Sequence, residues 1–528
     1  MSRLPGRFSA LGLALLLLAV LFPPAPVGRA QSREAPRATY AVILVLDGSR
    51  PGYFDLRRMP HLRALMKLGV TYRQAYVGQM LANTPPSHAT IGTGVFPRGH
   101  GIMGFWWEDS RTSTLTRPTD TGAVESGALE AVMRRYRAPS IAASVKETYP
   151  GAKIVSTSGH KCYAADAMGT ASADYILCAL IYHDRWVAQA IGTHRPPSGA
   201  INNPAFDVPI PNPQSGFAPA VEQWKLGQEN DWTVRYSLWA FHRVHYPRVL
   251  MVNLPETDVT GHFATDWGSV EGTLMQHFDR ELGHIISAYK RAGIFGQTVF
   301  FVTADHGMSR VKTRVPFSIY DQAIELAGAT KVYLEADTAA ALGIREAEKA
   351  KQVAVNVALL GGSDVEATFY KTFADGKWQY RLAAERPSVS LALERAYLSM
   401  VNTSACADGA DVMVIYPPHV TTGDRPVGKY HWVGGHLGPQ WDEQHIPLVV
   451  AGAGVRHGAT SNYPARLVDI APTVEYLLGS QRTRTDGVVL ADGVSRPATR
   501  LAVAEKRRGA SLLPQVRLLE KHSGYRSR

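Results

Sequence analysis

Acidic and histidine side chains lie beside four separate apolar runs of the 528-residue chain. The set is Asp47, Asp258, His262, Asp305, His306 and His436. Asp258 and His262 are spaced i, i+4, which places both on one side of a helix. The adjacent pair at 305–306 is followed by Gly307, which suits a tight turn facing a site. Carboxylates and neutral imidazoles are zinc ligands, and clustered carboxylates otherwise repel one another, so the set predicts a divalent metal site.

Each member of this set also has a structural alternative. A single Asp after a strand is commonly a turn or helix-capping residue, and the Asp258–His262 pair is weak evidence of a metal by itself. His431 and His445 lie near His436 and are alternative ligands. The metal prediction therefore depends on the whole set, which recurs beside successive apolar runs.

A hydroxyl group is available in the segment 83–94 (NTPPSHATIGTG). Proline is favoured in the first turn of a helix, so Thr84, which precedes two prolines, is predicted at a helix N-terminus. Unpaired backbone N–H groups and a positive partial charge at that end favour an anion. Thr84 is interpreted either as a simple N-cap or as a metal-activated nucleophile that attacks a phosphoryl group. Ser87, Thr90 and Thr93 are alternative nucleophiles by residue type.

The elements that position these residues are predicted to be strands of a parallel sheet. The run 41–46 (AVILVL) is continuously apolar, as is typical of a strand buried on both faces. Similar runs occupy 249–254, 298–303, 412–416 and 446–451, with helical patterns between them. This alternation predicts an α/β fold with a mostly parallel central sheet flanked by helices. Sites in such folds form at the carboxyl ends of the strands, where the polar set is found.

The segment 308–430 is predicted to be an inserted cap subdomain. It separates two motifs that are expected to share one site, and it contains helical stretches (338–360) and strand-like ones (366–373). The complete predicted organisation is a signal peptide (1–30), a flexible N-terminus (31–39), a first core part (40–307), the inserted cap (308–430), a last core part (431–490) and a basic C-terminal tail (491–528).

The N-terminus has the composition of a secretory signal. Arg3 and Arg7 precede an apolar run of fifteen residues (8–22), and the small-x-small sequence 28–30 suits a cleavage site. An uncleaved anchor is the alternative. No later segment has about 18 unbroken apolar residues, so the mature protein is predicted to be secreted or periplasmic without a transmembrane segment.

The formal net charge of +11 is concentrated at the two ends of the chain. Residues 1–30 carry +3 and residues 496–528 carry +7, so the remaining body carries +1. This distribution argues against nucleic-acid binding by the main body, and no specific nucleic-acid partner is predicted. The basic tail is interpreted as a solvated segment, with an anionic membrane surface or polyanion as the alternative.

Three cysteines are too few for a disulfide scaffold. In an oxidising compartment Cys162 and Cys178 can pair, which leaves Cys406 over. The sequence does not decide whether that pair forms.

Taken in order, the motifs resemble those of a known enzyme superfamily. They are LDGSRPGY (46–53), TPPSHATIGTGVFPRGHGIMG (84–104), PETDVTGH (255–262), TADHGM (303–308), GGHLG (434–438) and LVDIAPTVEYLLG (467–479). Their order resembles the alkaline phosphatase superfamily, and most of all its type I phosphodiesterase/nucleotide pyrophosphatase branch. The ordered set, which covers about residues 40–480, carries the resemblance, because any single motif is weak.

The resemblance implies a hydrolase with two zinc ions about 4 Å apart and a covalent phosphothreonine-type intermediate. By motif position, the ligands of one zinc would be Asp258, His262 and His436, and those of the other would be Asp47, Asp305, His306 and the Thr84 oxygen.

The chain departs from the family where the phosphoryl group is expected to bind. The family usually has an Asn 21 positions after the nucleophile, whose amide binds a nonbridging phosphoryl oxygen, but here that position is Phe105, followed by Trp106. Related threonine-dependent alkaline phosphatases carry a Lys-x-Arg pair that binds the extra charge of a monoester. Only His160 and Lys161 stand in the comparable region. These four residues are the predicted substrate-binding set, with core packing as the alternative for the aromatic pair.

The predicted function is a secreted two-zinc hydrolase that cleaves phosphodiester or nucleotide pyrophosphate bonds through Thr84. Its expected substrate is a small phosphate ester or nucleotide, and the missing Lys-x-Arg pair favours diesters over monoesters. The alternatives are an alkaline phosphomonoesterase of the same superfamily and a non-catalytic binding protein on this scaffold. A sulfatase is disfavoured because no Cys-x-Pro-x-Arg motif lies near the expected nucleophile. The sequence leaves the oligomeric state open.

Overall fold

The computed structural model describes residues 38–183, 185–191, 196–210, 227–423, 426–427, 430–480 and 483–524. The predicted signal peptide and nearly all of the predicted flexible N-terminus lie outside the described residues, as does the side chain of His431. Among the described residues, no helix is long and apolar enough to cross a membrane.

A ten-stranded sheet forms the centre of the fold. Its strands in spatial order are β23 (Ala459–Ser461), β2 (Gly69–Tyr72), β22 (Leu448–Gly452), β10 (Thr298–Thr303), β1 (Tyr40–Leu46), β9 (Val249–Leu254), β5 (Ile154–Thr157), β6 (Tyr175–Tyr182), β7 (Arg185–Ala190) and β8 (Val208–Pro209). The five consecutive strands from β10 to β6 are parallel, and the antiparallel strands β22 and β7 flank them. The predicted α/β class with a parallel sheet centre is therefore confirmed.

Strand β1 is apolar throughout because both of its faces are covered. Ala41, Ile43 and Val45 belong to the apolar core on one face of the sheet, whereas Val42 and Leu44 belong to the core on the other face. The helices of the first face are α2 (Thr84–Thr93), α6 (Ile141–Thr148), α7 (Cys162–Gly169) and α15 (Ile470–Leu478). Those of the second face are α1 (Pro60–Lys67), α8 (Gln228–Arg243) and α10 (Trp267–Arg291). Helices on both faces are what a parallel sheet requires.

A second sheet of five antiparallel strands lies within residues 331–415. Its order is β13 (Lys331–Ala336), β14 (Ala339–Ile344), β17 (Val412–Ile415), β15 (Ala367–Ala374) and β16 (Lys377–Glu385). One face packs on helices α11 (Ser318–Ala327) and α12 (Ala350–Gly361), through residues such as Ile319 and Val353. The other face, which includes Phe369 and Met413, belongs to the same apolar core as the first face of the central sheet.

Two sequence-based predictions are wrong in this region. The run 412–416 belongs to the second sheet and not to the central one, because a short apolar run indicates a buried strand without indicating its sheet. The stretch 338–360, predicted to be helical, contains strand β14 before helix α12 begins. Its alanines favour helix by intrinsic propensity, but pairing with both β13 and β17 outweighs that preference.

The basic C-terminal segment forms helix α16 (Thr499–His522) within the described residues. Leu501, Leu512, Val516 and Leu519 are buried along one side of this helix. From the sequence, this segment is interpreted as a solvated tail because of its charge. In the structure, a stripe of apolar residues packs against the body, and the basic residues remain exposed on the other side of the helix.

Shorter elements complete the structure. The remaining α-helices of the described residues are α3 (Pro97–His100), α4 (Thr121–Glu125), α5 (Ala128–Tyr136), α9 (Glu256–Phe263), α13 (Leu391–Val401) and α14 (Trp441–Gln444). The small strand pairs are β3 (Trp107–Asp109) with β4 (Thr114–Thr116), β11 (Ser309–Arg310) with β21 (Gly434–Gly435), β12 (Thr313–Val315) with β18 (Val420–Thr422), and β19 (Pro426–Val427) with β20 (Tyr430–His431).

Candidate active site

The first group of predicted ligands converges on one carboxylate oxygen. The Nε2 atoms of His262 and His436 each lie 3.3 Å from Asp258 Oδ1. All three residues are buried, and their ligand atoms lie within 4.8 Å of one another. Asp258 and His262 share a face of α9, directly after β9. This arrangement can hold one metal ion.

The second group lies beside the first. His306 Nε2 is 3.6 Å from Asp47 Oδ1, 3.3 Å from Asp305 Oδ2 and 3.9 Å from Asp258 Oδ1. Asp47 and Asp305 also form a compact set of ligand-type atoms with His88, whose Nδ1 is 3.5 Å from Asp305 Oδ2. His88 is not among the ligands predicted from the sequence. Its position four residues after Thr84 on the same helix was the available signal, because i, i+4 residues share a helix face.

The strand ends place these ligands together. Asp47 follows β1, and Asp305 and His306 follow β10, its parallel neighbour. His436 precedes β22, which is antiparallel to β10, so the start of β22 lies at the same edge as the end of β10. Gly48 (φ 70°) permits the close approach of α9, because a Cβ there would lie 2.7 Å from Asp258 Cα.

The backbone orients all three histidines in the same way. The Nδ1 atoms of His262, His306 and His436 lie 2.8, 3.0 and 2.8 Å from the carbonyl oxygens of Gly434, Gly307 and Ala82, respectively. Nδ1–H therefore donates to the backbone, which leaves the Nε2 lone pairs, like the neighbouring carboxylate oxygens, available to bind a cation between them. Such second contacts are typical of metal-ligating histidines.

Buried atoms without partners mark the same place. Asp258 Oδ1, Asp305 Oδ2 and His306 Nε2 have no hydrogen-bond partner among the described residues. The other oxygen of Asp305 is held in place, because Oδ1 accepts the backbone N–H groups of Gly48 and His306, each at 3.0 Å. Leaving such atoms unpaired is costly unless a cation binds them. The donor set therefore fits divalent metal ions.

Lys161 supplies positive charge between the two groups. Its Nζ donates to Asp258 Oδ2 at 2.7 Å, to Asp47 Oδ1 at 2.9 Å and to Thr84 Oγ1 at 3.3 Å. Burial works against a low pKa for Asp258, but the Lys161 ammonium and then His262 hold that pKa well below its usual value. Burial, followed by the Asp305 charge, raises the pKa of Asp47. Bound metal ions would lower the pKa of both carboxyls.

Thr84 is the first residue of α2, as its position before two prolines predicts. Its hydroxyl donates to Asp47 Oδ1 at 3.4 Å. Of the four hydroxyl residues considered as nucleophiles, Thr84 lines the site cavity, whereas the hydroxyls of Thr90 and Thr93 donate to Gln79 and to a backbone carbonyl. Ser87 is buried and does not line the cavity.

A cavity of about 580 Å³ opens in front of Thr84. Each predicted substrate-binding residue lines it: Phe105, Trp106, His160 and Lys161. The Phe105 ring packs edge-on against Tyr163, with centroids 5.4 Å apart. The aromatic pair therefore faces the cavity in addition to packing beside it.

The loop that carries His160 and Lys161 is held from two sides. Glu229 is buried, and its Oε1 accepts the His160 backbone N–H at 2.6 Å and the ring Nδ1–H at 2.7 Å. On the other side, a disulfide joins Cys162 to Cys178 of β6. The pairing that the sequence left open is thus present, and it ties the start of α7 to the sheet directly after Lys161.

The second sheet contributes cavity residues that the sequence argument missed. Glu335 and Asp337 come from β13 and the turn that follows it, and Trp432 comes from the loop before His436. No local sequence signal singles them out. The alternative ligand His445 lies elsewhere, because its Nε2 contacts the Arg73 carbonyl at 2.8 Å and its ring stacks on Trp441.

Solved structures share this architecture. Alkaline phosphatase PafA aligns with a TM-score of 0.64 at 17% identity, covering 88% of this chain and all of that one. Human ectonucleotide pyrophosphatase/phosphodiesterase 5 aligns with a TM-score of 0.57 at 16% identity, covering 87% of this chain and all of that one. An inactive variant of murine ectonucleotide pyrophosphatase/phosphodiesterase 5, in complex with AMP, aligns with a TM-score of 0.58 at 16% identity, covering 87% of this chain and all of that one. These likenesses show the alkaline-phosphatase-like α/β fold.

Comparisons of sequence define the family. The family profile described as type I phosphodiesterase/nucleotide pyrophosphatase matches residues 41–416. The chain belongs to this family, and the resemblance stated from its motifs is confirmed.

Two curated relatives are alkaline phosphatases. PafA of Elizabethkingia meningoseptica is 26% identical over an alignment of 246 residues, and the match covers 44% of this chain and 43% of that protein. PhoK of Sphingomonas sp is 24% identical over an alignment of 286 residues, and the match covers 47% of this chain and 50% of that protein. The matches therefore span half or less of the length of these relatives.

Proposed function

We propose that the chain is a secreted or periplasmic two-zinc hydrolase that cleaves phosphodiester or nucleotide pyrophosphate bonds with Thr84 as the nucleophile. One observation carries the proposal. The unpartnered ligand atoms of Asp258, Asp305 and His306 lie in one cluster with Asp47, whose Oδ1 accepts the hydroxyl of Thr84 at the helix N-terminus, and Thr84 and Asp258 line a cavity of about 580 Å³. Family membership supports the same reaction class.

The residues present fit two metal ions. One would be held by Asp258, His262 and His436, and the other by Asp47, Asp305, His306 and the Thr84 oxygen. Bound zinc lowers the pKa of a coordinated hydroxyl and stabilises charge on a leaving oxygen. His88 is proposed to hold Thr84 beside Asp305, because its Nδ1 lies 2.9 Å from the Thr84 carbonyl oxygen and 3.5 Å from Asp305 Oδ2.

The chain's own groups define the chemical steps. Thr84 Oγ attacks phosphorus and loses its hydroxyl proton, a new O–P bond forms, and the bond to the leaving oxygen breaks; the leaving oxygen takes up a proton by way of solvent, and phosphothreonine remains at position 84 until hydrolysis returns the proton to the threonine oxygen. Water then attacks the same phosphorus and releases the threonine oxygen. Asp47 accepts the hydrogen bond of the Thr84 hydroxyl before attack, and the Lys161 ammonium offsets negative charge beside that oxygen.

Diesters are the proposed substrate class. A monoester dianion needs extra cationic contacts, and the Lys-x-Arg pair that supplies them in related phosphatases is missing. A diester monoanion needs room and apolar contact for its second group, which Phe105, Trp106 and Trp432 offer. The AMP complex of the murine relative supports a nucleotide as a candidate substrate. An alkaline phosphomonoesterase is the second candidate, because both curated relatives are alkaline phosphatases.

One set of assays tests the proposal. Purified protein, with zinc content measured on the same sample, is assayed on bis(p-nitrophenyl) phosphate, a nitrophenyl nucleotide ester and p-nitrophenyl phosphate. Thr84→Ala should keep its fold and most of its zinc but lose activity by at least about 10³-fold. Thr93→Ala, in the same helix, is the matched control and should stay near parental activity. Full activity of metal-free protein, or parental turnover by Thr84→Ala, would refute the mechanism.

The N-terminal part of the proposal has its own measurement. Expression in a bacterial host, followed by fractionation and N-terminal sequencing of the product, should find the chain outside the cytoplasm and starting near Gln31. An intact N-terminus in the cytoplasm would contradict export.

A further inference from the structure

Asn83 stands at a helix N-cap but does not act as one. It directly precedes Thr84, and its side chain forms no capping hydrogen bond with α2. Asn is among the residues that most commonly cap a helix with their side chain, so this side chain forgoes a stabilising contact. It is 2% exposed and lines the cavity in front of Thr84.

Glu335 of the second sheet holds the Asn83 amide instead. Asn83 Nδ2 donates to Glu335 Oε1 at 2.6 Å, across 252 residues of sequence. Both oxygens of the same carboxylate also lie 3.2 Å from the backbone nitrogen of Phe105. Gly104 permits this approach, because a Cβ there would overlap the Glu335 carboxylate. The carboxylate thus joins Asn83 to the position where the family's phosphoryl-binding Asn is missing.

The backbone around Asn83 is constrained as well. Leu81 adopts φ 59°, in the left-handed region that non-glycine residues rarely occupy. The Ala82 carbonyl faces the Nδ1 of His436 at 2.8 Å, and the Ala82 N–H donates to the Leu437 carbonyl at 3.1 Å. Strained backbone of this kind persists when surrounding contacts impose it, and such sites are frequently functional. Here it fixes Asn83 beside both Thr84 and a predicted metal ligand.

We propose that the Asn83 side-chain amide, positioned by Glu335, binds a nonbridging phosphoryl oxygen and replaces the amide missing at Phe105. This inference rests on the proposed phosphoryl-transfer function. One Nδ2 hydrogen is used by Glu335, and the second is the donor for the substrate. Asn83 is therefore a catalytic residue, and Glu335, which acts through it, is a positioning residue.

The same pair makes the site selective for substrate charge. The buried Glu335 carboxylate accepts a hydrogen bond from the same Asn83 amide that would bind the phosphoryl oxygen, so only that amide separates the carboxylate from the substrate. Repulsion from that carboxylate opposes a dianionic monoester more than a monoanionic diester, since like charges in a weakly polarisable interior repel strongly. The pair thus provides a physical cause for the diester preference.

Asn83→Ala in the full-length, zinc-loaded protein tests the amide. The expected result is a decrease in kcat/KM for bis(p-nitrophenyl) phosphate on the order of 10²–10³-fold, with zinc content and melting temperature retained. The ratio of rates for the two diastereomers of a nucleotide phosphorothioate diester should also change, which a purely structural role would not cause. Asn356→Ala is the matched control, because Asn356 is also buried, donates to the Ala323 carbonyl and lies outside the cavity.

The double variant Asn83→Ala/Phe105→Asn adds a rescue. With an amide restored at the family's position, the double variant should have a kcat/KM at least about tenfold higher than that of Asn83→Ala. Parental activity of Asn83→Ala, or an unchanged diastereomer ratio, would overturn the role of Asn83.

Glu335→Gln tests charge selection with the hydrogen-bonding geometry nearly kept. The ratio of monoester to diester kcat/KM should rise by about tenfold or more, because the repelling charge is gone. An unchanged ratio would overturn the role of Glu335. Zinc-loaded parental protein that hydrolyses neither ester would instead overturn the proposed function itself, so the two failures are distinct.

Discussion

Replacing Lys161 by Met should destabilise the metal-free protein far more than the zinc-loaded one. The Lys161 ammonium is 4% exposed and lies within 3 Å of oxygens from both Asp47 and Asp258. Burial alone would lower the pKa of this lysine, but Asp258 and Asp47 raise it well above its usual value. Methionine keeps an unbranched side chain that is one heavy atom shorter, and it removes both the charge and the hydrogen bonds that Nζ donates. The variant therefore leaves buried carboxylates without their cation.

The size of the effect follows from the contact distances. At 2.7 and 2.9 Å, each contact corresponds to about 6 kcal/mol of attraction for an effective dielectric constant near 20. Desolvation of the ammonium offsets most of this, and breaking buried ion pairs by removing one partner costs about 3–5 kcal/mol. We expect the free energy of unfolding of the metal-free variant to decrease by that amount.

Zinc should suppress the loss, because divalent cations neutralise the same carboxylates. The zinc-loaded variant should lose about 1 kcal/mol or less. By thermodynamic linkage, a difference of about 2–4 kcal/mol between the two states means that the variant binds zinc between roughly 30-fold and 700-fold more tightly. Guanidinium unfolding with and without zinc, and competition for zinc with a chelator, measure the two sides of this cycle independently.

Lys153→Met is the matched control. Lys153 also contacts a carboxylate, Asp174, at 3.1 Å, but its side chain is 44% exposed. Its removal should change the free energy of unfolding by less than about 1 kcal/mol in both states. Equal destabilisation of metal-free and zinc-loaded Lys161→Met, or weaker zinc binding by that variant, would contradict the predicted role of the Lys161 charge.

Three further perturbations have defined outcomes. Glu443 is buried, which raises its pKa to about 7, and its Oε2 accepts the N–H groups of Leu437 and Gly438. Because these bonds hold the loop that carries His436, Glu443→Ala should weaken zinc affinity by about 10–100-fold in chelator competition. Burial lowers the pKa of His100 from 6.5 to about 3, so its neutral form should stabilise the fold above pH 6.5. That contribution, on the order of 5 kcal/mol, should be lost between pH 6.5 and 3, and His100→Gln should flatten the pH dependence of urea unfolding. The Cys162→Ser/Cys178→Ser variant should lose about 3 kcal/mol of unfolding free energy, whereas an unchanged value would show that the disulfide adds no stability.

The clustering of most of the predicted metal ligands could be anticipated from the sequence, because it follows from local rules. Asp47 and Asp305 come directly after apolar runs that form neighbouring parallel strands, so topology alone brings them to one edge. Asp258 and His262 share a helix face by their spacing. Thr84 is at a helix start because two prolines follow it. These inferences need only the chain's local pattern and the rule that parallel strands end at the same edge.

Other features depend on contacts between distant segments, and only the tertiary structure decided them. Glu335 contacts Asn83 because the second sheet packs beside the central one, and no propensity or spacing encodes that placement. Run 412–416 is as apolar as a central strand, yet it pairs in the second sheet, since apolarity reports burial and not the pairing partner. The basic C-terminal segment packs as a helix because a partner surface exists for its apolar stripe, which its charge alone could not reveal. Local pattern thus determined which ligand-type side chains stand at the strand ends, whereas long-range packing determined which other polar and charged groups line the cavity beside them.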